Sequence, residues 1–127
     1  MAPDGESIRD CAERTRAAFP APFDALAADV RLVVQEWAEE SLLDEMGIED
    51  AYDLTGLYDG VALTERSVDM PDPPSTITLF RRAIIDEWAA RGDITLRELV
   101  AHVTVHEFAH HFGWSDDDIA RIDRWWE

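Results

Sequence analysis

The chain of 127 residues predicts one α+β domain, and three observations lead there. Strand-length runs stand at Val30–Trp37, Val61–Glu65 and Ser75–Phe80. Helical periodicity precedes and follows these runs without the regular βαβ alternation of a parallel α/β sheet. The composition is 46% hydrophobic with five Trp and five Phe, which suits a packed core rather than disorder. A chain of this size buries about two thirds of the surface its unfolded form exposes, so folding needs neither a disulfide nor a metal.

The elements follow in order. Ser7 to Phe19 reads as a helix capped by Ser7, with Ile8, Cys11, Ala12, Thr15 and Phe19 recurring near helical period. Pro20 and Pro22 stop it, and Phe23 to Ala28 adds a short turn. Val30, Leu32 and Val34 alternate with Arg31, Val33 and Gln35, the pattern of a mostly buried strand. Glu36 to Asp59 holds nine acidic residues and no basic one, which predicts a solvated acidic loop with one turn of helix at most. It lacks the ligand spacing of a calcium loop. The glycines of Gly56-Leu57-Tyr58-Asp59-Gly60 suggest a hairpin or bulge before the Val61–Glu65 strand. Met70 to Pro74 carries three prolines and forbids helix. In the Ser75–Phe80 strand, Ile77 and Leu79 share one side. Arg81 to Ala90 reads as a helix closed by Arg91-Gly92. The longest helix starts at the capping box Thr95-Leu96-Arg97-Glu98 and is stopped by Gly113, and a last helix begins at Ser115-Asp116-Asp117-Asp118.

Charge narrows the function. There are 28 acidic residues against 11 basic ones, for a net charge of −17. Such a surface repels nucleic acid and anionic lipid, and its field favours cations. No apolar run approaches the ~18 residues of a membrane span. The N-terminus has neither a basic nor an apolar signal region, so a cytoplasmic location is expected; a monomer is also expected. The single Cys11 excludes an internal disulfide framework and a multi-cysteine zinc site, and reads as a small buried apolar group.

The chemistry is concentrated in His106-Glu107-Phe108-Ala109-His110, an H-E-x-x-H string inside the Thr95 helix. Histidines four apart share one helix face, so two imidazoles can converge on one ion. Glu107 is turned about 100° from His106, where a carboxylate touches a metal-bound water rather than the metal. The string continues as H-E-x-x-H-x-x-G-x-x-D. Gly113 lets the chain double back, so that Asp116 can supply a third ligand. Three protein ligands and one open position form a catalytic zinc site. With four His and twelve Glu in the chain, H-E-x-x-H arises by chance with odds of roughly one in a hundred. Adding Gly113 and Asp116 lowers the odds below roughly one in ten thousand. His102 lies two turns from His110, too far to share its ion, and reads as a neighbour of the site or a surface residue. His111 points elsewhere on the helix and reads as a packing or hydrogen-bonding residue. Trp114, Trp125 and Trp126 read as core or as a lid.

His106-Glu107-Phe108-Ala109-His110-His111-Phe112-Gly113-Trp114-Ser115-Asp116 closely resembles the signature of the minimal zincin-like metallopeptidases. These are small bacterial single-domain proteins with an H-E-[IFV]-[AG]-H-H-F-G-x-S-D pattern. The Val30–Trp37 strand, Gly56 to Thr64 and Ile77 to Arg81 are also similar, so the resemblance runs from about Phe19 to Ile122. It implies a zincin-like core over residues 1–127: a small mixed sheet of three to four strands packed on the site helix, with flanking helices. It implies one Zn2+ per chain on His106, His110 and Asp116, with Glu107 as general base and acid. The Ser75–Phe80 strand would be the edge that pairs with an extended peptide substrate. The metzincin methionine turn is absent, and Asp116 stands where metzincins carry histidine. The activity this implies is zinc-dependent hydrolysis of peptide bonds. The alternative is a non-catalytic acidic domain that keeps the fold for metal binding or protein interaction.

Overall fold

The computed structural model describes residues 3–63 and 74–114. Five helices and three strands occur among them: α1 (Gly5–Ala17), α2 (Phe23–Ala27), β1 (Arg31–Gln35), α3 (Glu40–Met46), β2 (Gly56–Asp59), β3 (Thr76–Phe80), α4 (Arg81–Arg91) and α5 (Leu96–His111). A 3-10 turn at Ala51–Asp53 precedes β2. The sheet order is β1-β3-β2, with β1 parallel and β2 antiparallel to β3. This is the small mixed sheet of an α+β domain.

Side-chain alternation decides which face of the sheet meets the helices. Leu32, Ile77 and Leu79 are buried in one cluster with Ile8 and Ala12 of α1, Ile84 of α4, and Leu99, Val100, Val103 and Phe108 of α5. Phe80 lies on the opposite face, in a smaller cluster with Ala38, Leu43, Leu54 and Ala83. The main core therefore sits between the sheet and the α1–α5 pair.

Several expectations change. The first helix starts two residues before Ser7, because the Asp4 side chain accepts from Ser7 N at 2.8 Å and takes the capping role. The acidic segment Glu36–Asp59 is not a loop. Leu42, Leu43, Ile48, Ala51, Leu54 and Leu57 recur often enough to pack on Phe80 and Ala83, leaving the carboxylates outside. The strand expected at Val61–Glu65 is instead β2 at Gly56–Asp59; Val61 and Ala62 are irregular, and Thr64 and Glu65 lie outside the described residues. Ser75–Phe80 is a strand but not an edge, since β3 pairs on both sides. The expected last helix, with Asp116, Trp125 and Trp126, lies outside the described residues, as do residues 70–73.

The displaced strand has a steric reason. A Cβ on residue 56 would meet Val103 Cγ1 at 2.8 Å and Glu107 Cγ at 3.2 Å. Glycine there lets β2 lie directly against α5. We predict that Gly56→Ala forces strand and helix apart and lowers stability by about 1–3 kcal/mol, the usual cost of overpacking. Denaturant unfolding measures this.

At the start of α4, Arg81 ties distant segments together. Its Nε and Nη2 donate to the Glu36 carboxylate at 2.5 and 2.7 Å, and its Nη1 donates to Pro3 O at 2.9 Å. The hydrogen bond from Arg81 holds the Glu36 carboxyl below the ordinary Glu value of 4.5. A lowered folded pKa gives stability that is full above the unfolded value and is lost as pH falls through the folded one. The stability difference between wild type and Glu36→Gln should therefore be constant above pH 5.5 or so and shrink steadily below 4.5. Urea titrations across that range give the comparison.

Candidate active site

Both ends of α5 are well defined. Thr95 Oγ1 accepts from Glu98 N at 3.1 Å, as its capping position predicts. At the other end Gly113 takes φ +87°, Gly113 N donates to His110 O at 3.0 Å, and Trp114 N donates to Ala109 O at 2.9 Å. That pair of bonds is a Schellman closure, and it needs the left-handed residue that glycine supplies.

The C-terminal part of this helix is buried on nearly every side. From Val103 to His111, only His106 and His110 are not buried. With His102 one turn earlier, also half-buried, they form a half-open strip along one face of α5. The strip is walled by the aliphatic core on one flank. On the opposite face of the helix, Phe108 and Phe112 pack edge-on or tilted against Phe19 and Phe23, with ring centroids 5.2 Å apart for Phe19–Phe108 and 5.0 Å for Phe23–Phe112. Trp114 joins that group against Phe23 at 5.4 Å.

The His106 and His110 rings lie 4.9 Å apart, centroid to centroid, with planes at 84°. Glu107 is turned off the strip and is only 9% exposed. Its Oε2 lies 3.4 Å from where a Cβ on residue 56 would stand, so the carboxylate rests against the backbone of β2. His102, His106 and Glu107 face a cleft of about 500 Å³. Asp53 to Gly56 form its other wall, and the Glu87–Arg91 pair of α4, at 3.6 Å, stands at its rim. Among the described residues no three of His, Cys, Asp and Glu form a group able to hold a metal ion. The third expected ligand, Asp116, falls outside them.

The cleft also borders a sheet edge that has no partner strand among the described residues. Phe80 N donates to Thr55 O at 2.9 Å, so Thr55, Leu57 and Asp59 turn their backbone groups toward β3. Gly56 and Tyr58 then turn theirs outward, along the edge that passes Glu107.

His111 points the other way, as its angular position predicts. It is 3% exposed. Its Nδ1 meets Tyr58 Oη at 2.8 Å and its Nε2 meets Leu26 O at 3.1 Å. Tyr58 Oη also lies 2.9 Å from Ser75 Oγ and donates toward Val61 O at 3.2 Å. This buried network joins α5 to both β2 and the start of β3. Sequence reading missed Gly56, Tyr58 and Ser75. The available signal was His111 itself: a histidine on a buried helix face requires a polar partner, and Tyr58 is a polar residue on the segment flanked by Gly56 and Gly60.

A profile of zincin-like metallopeptidases matches residues 27–126. The chain belongs to the zincin-like metallopeptidase family. The matched stretch includes the whole α5 strip, the Gly113 turn and both walls of the cleft, whereas α1 precedes it. A search of curated proteins finds no match. Within this family member, no described helix is long and apolar enough to cross a membrane.

The network predicts its own sensitivity. Tyr58→Phe removes a hydroxyl bonded to His111 and Ser75 and should cost about 1–3 kcal/mol. Gly60→Ala should do comparable damage, because its Cβ would fall 2.5 Å from Ser75 Oγ and 3.0 Å from Tyr58 Oη. Urea midpoints of the two variants and wild type are the measurement; a wild-type midpoint for Tyr58→Phe would show that the network carries no stability.

Proposed function

We propose that this chain is a zinc-dependent peptidase, with His106, His110 and Asp116 holding one zinc ion and Glu107 as general base. The observation that supports it best is the open strip. On a helix otherwise buried from Val103 to His111, only the two histidines with ligand spacing face outward, with a carboxylate beside them at the cleft wall. Two imidazoles and a carboxylate are a donor set that suits zinc. Bound there, zinc supplies a Lewis acid that polarises a carbonyl oxygen and acidifies water.

The chain's own residues do the rest. The close approach of Gly56 gives the Glu107 carboxylate its place at the cleft wall. From there it takes a proton from water and passes it to the leaving amine. An extended peptide substrate pairs with the outward N–H and C=O groups of Gly56 and Tyr58, adding a strand beside β2. This gives β2 the edge role first expected of Ser75–Phe80. In this reading the protein works as a cytoplasmic monomer.

The test separates metal from catalysis. Zinc-loaded wild type should cleave members of a mixed peptide library, read by mass spectrometry. Glu107→Gln should retain one zinc per chain and lose roughly a hundredfold or more in rate. Asp116→Ala should weaken zinc retention by about tenfold or more in competitive chelation. Equal cleavage by wild type and Glu107→Gln would replace this reading with the non-catalytic alternative.

A further inference from the structure

A second cleft lies on the far side of α5. It has a volume of about 310 Å³ and runs along the seam between α1 and α5. Cys11, Thr15, Ala18 and Phe19 line it from the α1 side, and Ala101 from α5. Arg14 and Arg97 complete the lining, one from each helix. Arg97 precedes His106 by nine residues, which places it about 180° around the helix from the histidine strip. The α1 wall also precedes the stretch matched by the family. This cleft is therefore separate from the chemical one.

We infer that the α1–α5 cleft binds a small alkyl carboxylate, its chain on Phe19 and its head between Arg14 and Arg97. Charge carries the choice of ligand. The chain has 28 acidic residues and 11 basic ones, yet among the described residues this lining has two guanidiniums and no carboxylate. Among the described residues neither Arg14 nor Arg97 forms an ion pair. A carboxylate is the group whose geometry a guanidinium fork matches. The floor is apolar, since Phe19 belongs to the main core and is 5% exposed.

The same lining argues for an alkyl chain over a peptide. Thr15 Oγ1 already donates to Cys11 O at 2.9 Å. The remaining wall is helix together with Ala18 and Phe19, whose N–H groups donate to Arg14 O, Thr15 O and Arg16 O at the end of α1, so a peptide's amides would find few partners there. The volume lies at the small end of ligand pockets, which suits an acid of roughly ten non-hydrogen atoms.

Octanoate is the probe. Calorimetric titration of the full chain should give one site per chain with a Kd of roughly 0.1–1 mM, as expected for a ligand of this size. Cys11 is the only thiol and stands in the wall, so it reports occupancy directly. Saturating octanoate should slow its alkylation by iodoacetamide about fivefold or more. Octan-1-ol, equal in length and uncharged, should bind about tenfold more weakly. Arg14→Gln and Arg97→Gln should each weaken octanoate about fivefold or more with unchanged far-UV circular dichroism. An unchanged alkylation rate, equal binding of octan-1-ol, wild-type affinity in both arginine variants, or tighter binding of N-acetyl-Leu-Leu would overturn the inference. None of these readouts depends on zinc or on peptide cleavage.

Discussion

The close contact between Gly56 and α5 is the constraint from which the rest follows. With no side chain at residue 56, β2 can approach until Val103 and Glu107 rest against its backbone. That approach closes the core over one flank of the helix, while the aromatic group of Phe19, Phe23, Phe108 and Phe112 closes the other. What remains open in the C-terminal part of α5 is a narrow strip, on which His106 and His110 stand with His102 one turn before them. A bulkier contact would leave Glu107 in solvent and β2 away from the cleft. The same glycine thus sets both how tightly the domain packs and where its carboxylate stands.

The two edges of the sheet are treated differently. Along β1, α1 lies close by: Arg16 donates to the carbonyls of Ala27 and Val30 and pairs with Glu13, so backbone acceptors at the start of that edge are already taken. The β2 edge, next to α5, has Gly56 and Tyr58 facing outward. Among the described residues, the β2 edge therefore combines outward backbone groups with proximity to the histidines. The β1-β3-β2 order makes this possible, because it places β3 in the middle and leaves β2 on the side of the histidines.

Much of this was legible in the chain, and the misses have physical reasons. The extent of α5 could be read because its signals are local: Thr95 caps it, Gly113 ends it, and its ligand spacing is a property of one helix. The β3 strand was also visible, but its central place was not. Which strands flank it is decided by pairings with β1 and β2, distant in sequence, and a strand's own residues do not record them. The acidic stretch misled because charge density masked the leucines and isoleucine that pack on Phe80. Gly56 read as a breaker, although its function is to let two backbones meet, which appears only once both elements are placed. That His106 and His110 share one face of α5 follows from spacing alone, whereas the Tyr58–His111–Ser75 network is assembled from three separate segments, of which His111 alone gave a local signal.

The adjacency of His110 and His111 has one more consequence. Neighbouring side chains on an α-helix diverge by about 100°. Here one imidazole faces the open strip while the next is locked inside, bonded at both ring nitrogens to groups on other elements. The doublet therefore fixes the phase of the helix about its own axis. Were α5 to turn by one residue, His110 would enter the protein interior without its outlet, and His111 would leave Tyr58 and Leu26 behind. Hydrophobic packing tolerates small rotations, but a ring held from two opposite sides does not. The second histidine thus works as an indexing pin, and the direction in which the first one looks is set by a neighbour that never reaches the cleft.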